Sequence, residues 1–131
     1  MNDLFRENVL DHYRYPRCHG TLENPDITAE DANPLCGDRM RMEFRIRDGV
    51  LEQVRFSGQG CSISQAAASM LCEHVEGQPL DAIKAIGRED VLDMLGIDLG
   101  PVRLKCALLA LKTLKSGIWG VTQWPGEEEE V

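Results

Sequence analysis

No run of apolar residues in this 131-residue chain is long enough to cross a bilayer, and no basic-then-apolar leader opens it. A membrane partner is therefore not expected, and the sequence reads as that of a cytoplasmic protein. Basic charge is scarce as well. Fourteen Lys and Arg stand against 22 Asp and Glu, a net charge of −8, so the basic stripe that a nucleic-acid partner demands is missing. Neither an internal repeat nor a low-complexity linker divides the chain, and its length suits one domain, residues 1–131, around one core. Part of the negative charge is the run Glu127 to Glu130 after Trp124-Pro125-Gly126, which reads as a solvated, flexible acidic tail over about 121–131.

What the sequence does have is five cysteines, an odd number at uneven spacing. In a reducing compartment such thiols point to metal or sulfur chemistry rather than to a disulfide framework. Cys36 is followed two residues on by Asp38; in an extended segment both project to one side and can grip one ion. Cys61 lies just before Ser62, the expected N-cap of a helix, where unpaired N–H groups and the helix dipole favour a thiolate. Cys106 falls beside the apolar stripe of the last helix, flanked by Arg103 and Lys105, and fits both a rim ligand and a core filler. Three thiolates and a carboxylate complete a four-coordinate site for a thiophilic metal. Cys72 reads as packing. Cys18, next to His19, has no other partner at ligand spacing. His12 and His74 lie on apolar faces and read as structural, which leaves a hydrolase built on Cys61 without a base.

The pattern of elements predicts an α+β fold, a small antiparallel sheet of about three strands with helices packed on one face. A first helix is expected from an Asn2 cap to about Tyr13, with Phe5, Val9, His12 and Tyr13 on one face, and an edge strand near residues 27–32. Residues 39–47 alternate without a break: Met40, Met42, Phe44 and Ile46 point one way and charged residues the other. Asp48-Gly49 predicts a tight hairpin turn into a strand over 50–57 that buries Val54 and Phe56. Ser62 and Gln65 predict a capping box for a helix to Glu76, with Ile63, Ala66, Ala67, Met70, Leu71, His74 and Val75 inward. Short helices near 81–86 and 89–95 precede a last one opened by Pro101, with Leu104, Ala107, Leu108, Leu111 and Leu114 as its stripe. The row Arg39, Arg41, Arg45 and Arg47 reads as a solvated sheet face or, more sharply, as a surface for an acidic partner.

Several ordered motifs together resemble the U-type iron–sulfur assembly proteins (IscU, SufU and the N-terminal domain of NifU). They are Asp11-His12-Tyr13 with Pro16-Arg17 and Gly20, Asn33-Pro34-Leu35-Cys36-Gly37-Asp38, Gly58-Gln59-Gly60-Cys61-Ser62-Ile63-Ser64 with Ala67, Ser69 and Met70, and Lys105-Cys106-Ala107, spanning about residues 5–117. The resemblance implies a scaffold or sulfur acceptor rather than an enzyme, with Cys36, Asp38, Cys61 and Cys106 gathered at one exposed end. It implies zinc in the isolated protein, a transient [2Fe–2S] cluster, a cysteine desulfurase as sulfur donor, and iron–sulfur carrier or apo-acceptor proteins as recipients. Asp38, the hard ligand, is the natural one to leave when a cluster moves on. Two branches of the family mix here. Lys105 stands where the scaffold branch has His, and Leu99-Gly100-Pro101-Val102-Arg103 departs from the segment a chaperone reads, which weakens the case for chaperone docking. Lys105-Cys106-Ala107 resembles the zinc-dependent SufU sulfurtransferases, yet the interval of 45 residues from Cys61 to Cys106 is scaffold-like. A zinc-stabilised interaction domain without sulfur traffic accounts for the same ligands. Among the thiols, Cys36 is expected to take sulfur first, being in a loop beside Gly37, with Cys106 as its rival through Lys105.

Overall fold

Met40, Met42 and Phe44 are each no more than 1% exposed, as their alternation with charged residues predicts. Removing each from water contributes about 1.5–3 kcal/mol. They belong to the central strand of a three-stranded antiparallel sheet in the order β1 (Ile27–Asn33), β2 (Asp38–Arg47) and β3 (Val50–Gln59). The computed structural model describes residues 3–35 and 37–126, with side chains from Arg6 onward. Around the sheet stand α1 (Asp3–Arg14), α2 (Ser62–Val75), α3 (Leu80–Lys84), α4 (Arg88–Leu95) and α5 (Pro101–Trp119). The α+β class and the helices on one face are as expected: α5 and α2 cover the apolar side of the sheet. No helix among the described residues is long and apolar enough to cross a membrane.

The β2–β3 hairpin turns at Asp48 (φ 54°) and Gly49 (φ 77°), the paired positive angles of a type I′ turn. Its register shifts once, since Arg45 opposes Gln53 while Ile46 opposes Leu51. Glu52 is thus the extra residue of a bulge, and the bulge reverses which alternate residues face the helices. Leu51, Val54 and Phe56 are all fully buried, although simple alternation would send Leu51 outward. The bulge also aims the Val54 N–H at Glu76 Oε2, 3.0 Å away, and that same oxygen accepts from Arg55 Nη1 at 2.8 Å. Glu76, the C-cap of α2, therefore ties the end of that helix to β3.

Helix α5 lies close to β1 because Gly117 has no side chain: a Cβ there would sit 2.7 Å from Ala29 Cβ and 3.0 Å from Phe44 Cε2. That approach sets the height of α5 against the sheet and, with it, the position of Cys106 eleven residues earlier on α5.

Helix α1 is joined to α2 through a polar knot. Ser69 Oγ accepts the Arg17 backbone N–H at 2.8 Å and lies 2.7 Å from His12 Nδ1. Ser69 thus holds the start of the loop after α1 and the His12 ring with one hydroxyl. Arg17 also pairs with Asp11 at 2.7 Å, and His12 Nε2 faces Glu73 at 3.8 Å.

Several expectations are corrected. Cys61, and not Ser62, is the N-cap of α2, with no side-chain cap bond; Ser62 is the first helical residue and the helix ends at Val75. His74 is exposed, because it lies at the end of α2 beyond the reach of α5 and α1. Tyr13 is 46% exposed, so among the described side chains of α1 the buried strip is the narrower one of Val9 and His12. Ile46 is only half-buried at the end of the sheet, and Glu43, outward by alternation, is buried where it accepts the Leu22 N–H at 2.7 Å. The two short helices begin one residue earlier than expected, and α3 ends two residues sooner. Asn2, the Phe5 side chain and residues 127–131 lie outside the described residues.

Burial, with Arg17 adding, lowers the His12 pKa below its ordinary value of 6.5; Glu73 and Asp11 oppose this more weakly. The unfolded chain therefore takes up this proton before the folded one does. The contribution is complete above about pH 6.5 and is lost as pH falls through the folded value. Denaturant midpoints should accordingly fall from pH 7.5 to pH 5. In Ser69→Ala the protein should lose about 1–3 kcal/mol at pH 7.5, since His12 and the Arg17 N–H lose their partner. A Ser69→Ala midpoint equal to the parent's would contradict the knot.

Candidate metal centre

Asp38 opens β2 and pairs with Asn33 of β1 across the sheet. Its carboxylate is 5% exposed and has no Lys, Arg or His within ion-pair distance among the described residues. Burying an acid without a cation is costly, and its partners here are few. Oδ1 accepts the Cys61 N–H at 3.3 Å, and Oδ2 faces Cys61 Sγ at 3.6 Å.

Cys61 reaches that place because β3 runs directly into α2. With backbone φ −72° and ψ 172° it is still extended, and the helix begins at the next residue. Its thiol thus lies at the N-terminus of α2. Ser64 completes the corner: its hydroxyl donates to the Cys61 carbonyl at 3.0 Å and stands 3.9 Å from Cys61 Sγ. Gly60 makes room, since a Cβ there would overlap Ser64 Oγ and lie 3.1 Å from Asp38 Cγ.

Cys106, in the second turn of α5, is 3% exposed. Of the two readings, a rim-facing thiol and a core residue, the structure gives the buried one: α5 is buried from Cys106 to Leu111 without a break, so its inner surface is broader than one stripe. Burial does not remove Cys106 from the site. Ligand atoms of Asp38, Cys61 and Cys106 all lie within 4.8 Å of one another. Asn33 Nδ2 stands 3.9 Å from Cys106 Sγ, and Asn33 Oδ1 accepts the Leu35 N–H at 3.1 Å. Asn33 therefore joins the thiol of α5 to the turn after β1. The sequence motif contained Asn33 and Ser64 but carried no signal of their contacts with the thiols.

Cys36 lies outside the described residues. Its chain neighbours belong to the turn that Gly37 N–H closes on the Asn33 carbonyl at 2.8 Å. Of the four expected ligands, three converge among the described residues: one strand start, one helix start and one helix interior. Two thiols and a carboxylate suit Zn²⁺ or an iron–sulfur cluster, and the buried, cation-free carboxylate of Asp38 fits a positive centre.

The remaining cysteines stay apart. Cys72 is fully buried, and burial, with the nearby Cys18 and Glu76, pushes its thiol well above the ordinary range. Cys18 stands 3.9 Å from Glu76 Oε1; burial first, then Glu76, raises its pKa too. Cys18 has a φ of 61°, in the left-handed region that Asn adopts more readily than Cys. His19 packs edge-on to Phe56, with ring centroids 5.3 Å apart. Most of the arginine row is engaged internally. Arg41 pairs with Glu30 and Glu43, Arg45 with Gln53 and the Glu23 and Asn24 carbonyls, and Arg47 with Glu52. The solvated-face reading of that row is the one these pairs support.

The model of the family described as NifU-like N terminal domain matches residues 4–127. The zinc-dependent sulfurtransferase SufU of Bacillus subtilis is 33% identical over 135 residues, covering 90% of this chain and 91% of that protein. The iron–sulfur cluster assembly scaffold protein IscU of Escherichia coli is 35% identical over 118 residues, covering 87% of this chain and 91% of its own. Among solved structures, FiSufU from Fervidobacterium islandicum AW-1 superposes with a TM-score of 0.74 at 27% identity, covering 85% of this chain and 93% of that one. The order of elements, the joined Asp38, Cys61 and Cys106, and these matches agree: the chain belongs to the NifU-like N-terminal domain family of U-type iron–sulfur cluster assembly proteins.

Proposed function

We propose that this protein is an iron–sulfur cluster assembly protein that accepts sulfur from a cysteine desulfurase and holds a metal or nascent cluster on Cys36, Asp38, Cys61 and Cys106. The observation that carries the reading is the meeting of Asp38, Cys61 and Cys106 ligand atoms within 4.8 Å. Cys36 is the proposed fourth ligand on its place in the Asn33–Asp38 motif. Zinc held by these residues would keep the thiols deprotonated. The carboxylate is the weakest of the four donors for a soft metal and the first to yield to an incoming one.

Sulfur transfer needs a free thiolate. A thiolate of this chain attacks the outer sulfur of the donor's cysteine persulfide; the donor S–S bond breaks, a new one forms here, and the donor leaves as thiolate, with no net oxidation. Cys61 is held by its N–H on Asp38 and by the helix start, and Cys106 by a helix interior. Cys36, beside Gly37, is the thiol that can move at least structural cost, and we assign it as first acceptor. Lys105-Cys106-Ala107 and the likeness to SufU favour a second form of the same reading, in which zinc stays bound and the persulfide passes to another scaffold.

Protein isolated in air should carry about one zinc per chain, and Cys61→Ser should lose nearly all of it, as read by elemental analysis. Undiminished zinc in that variant would contradict the site. Mass spectrometry after a single desulfurase turnover should find the added sulfur on Cys36. Sulfur on Cys61 or Cys106 with Cys36 clean would overturn the order of acceptors.

A further inference from the structure

Lys105 precedes Cys106 on α5, but its ammonium lies over the ring of Trp124, 4.9 Å from the centroid. Lys112, seven residues on and along the same side of the helix, places its own ammonium 5.2 Å from that ring. The ring is held there by the chain that leaves α5. Gly120 ends the helix in the left-handed region, Pro125 is buried, and Gly126 packs on the side chain of Arg88. Trp124 itself packs against the core.

The two cations on this ring are not equivalent. Lys112 is also bound to Asp31 at 2.5 Å, with both side chains largely sheltered. Lys105 has no carboxylate partner among the described residues and rests on the ring alone. An ammonium on a half-exposed aromatic face is held less strongly than one beside a full anion in a sheltered site. Lys105 is therefore the cation free to leave, and it sits one residue from a thiol of the candidate site.

We propose that Trp124 is a positioning residue for Lys105, holding the ammonium on its ring and yielding it to the sulfur anion when the cluster carries persulfide. This rests on the sulfur-acceptor reading above. The ring and the persulfide compete for one cation. Loss of the ring leaves Lys105 on the sulfur, and the persulfide then stays longer on the chain.

The chain has two tryptophans, so Trp119→Phe leaves Trp124 as the only indole reporter. This protein is loaded with sulfur in two ways, by a cysteine desulfurase with cysteine and by inorganic polysulfide followed by desalting. Trp124 emission should change on loading and return when a thiol reductant removes the sulfur. In Lys105→Gln the same mass of sulfur should load with no change in emission. Trp124→Leu should release sulfide to the reductant about two- to fivefold more slowly, and Trp124→Phe, which keeps a ring, should restore the parent rate. Unchanged Trp124 emission in polysulfide-loaded protein, or parent-rate release from Trp124→Leu, would overturn the proposal. A chain that responds to polysulfide but takes no sulfur from the desulfurase supports the role of Trp124 and contradicts the donor assignment.

Discussion

The carboxylate of Asp38 is buried beside two thiols, and no basic side chain among the described residues comes within ion-pair distance of it. Gathering acids in one sheltered place works against folding unless something positive is shared among them. The Cys61 N–H and the N-terminus of α2 supply part of that compensation. They are partial charges, and a cation held by thiolates and carboxylate together answers the rest. This electrostatic demand explains why so much of the fold is devoted to bringing three chain segments to one point.

Those segments are set by ordinary packing forces acting far from the site. The alternation of β2 buries Met40, Met42 and Phe44 and so fixes where Asp38, at the start of the strand, emerges. Gly117 allows α5 to lie close on β1, which brings Cys106 level with Asn33. The β3 bulge and Glu76 fix the far end of α2, and Gly60 makes room for Asp38 and Ser64 beside Cys61 at its near end. The packed frame thus presents the thiols of Cys61 and Cys106 beside Asp38.

Much of this was legible in the sequence because the signals are local. Strict alternation gives β2, Asp48-Gly49 gives the hairpin, and glycines before Cys61 with a helical pattern after it give the strand-to-helix corner. The meeting of Asp38, Cys61 and Cys106 was legible through spacing and family resemblance. What escaped depends on contacts between distant parts of the chain. A bulge is invisible to alternation counted residue by residue, so Leu51 was not assigned to the core. A single stripe drawn on α5 leaves Cys106 open between rim ligand and core filler, because the pattern does not show that β1 and α2 bury this helix from two sides. Sequence adjacency offers Lys105 as a cation for its neighbouring thiol, whereas a tryptophan nineteen residues later takes its ammonium. Nothing in the pattern around residue 124 announces that the chain folds back over α5.

The central claim is that one ion is shared by three sulfurs and one carboxylate oxygen. X-ray absorption at the zinc edge on the protein as isolated measures that ligand set directly. The account predicts about three sulfur neighbours near 2.3 Å and one oxygen near 2.0–2.2 Å, with the oxygen contribution lost or replaced in Asp38→Ala. A shell of nitrogen and oxygen without sulfur, or a spectrum unchanged when Cys106 is replaced by Ser, would contradict it.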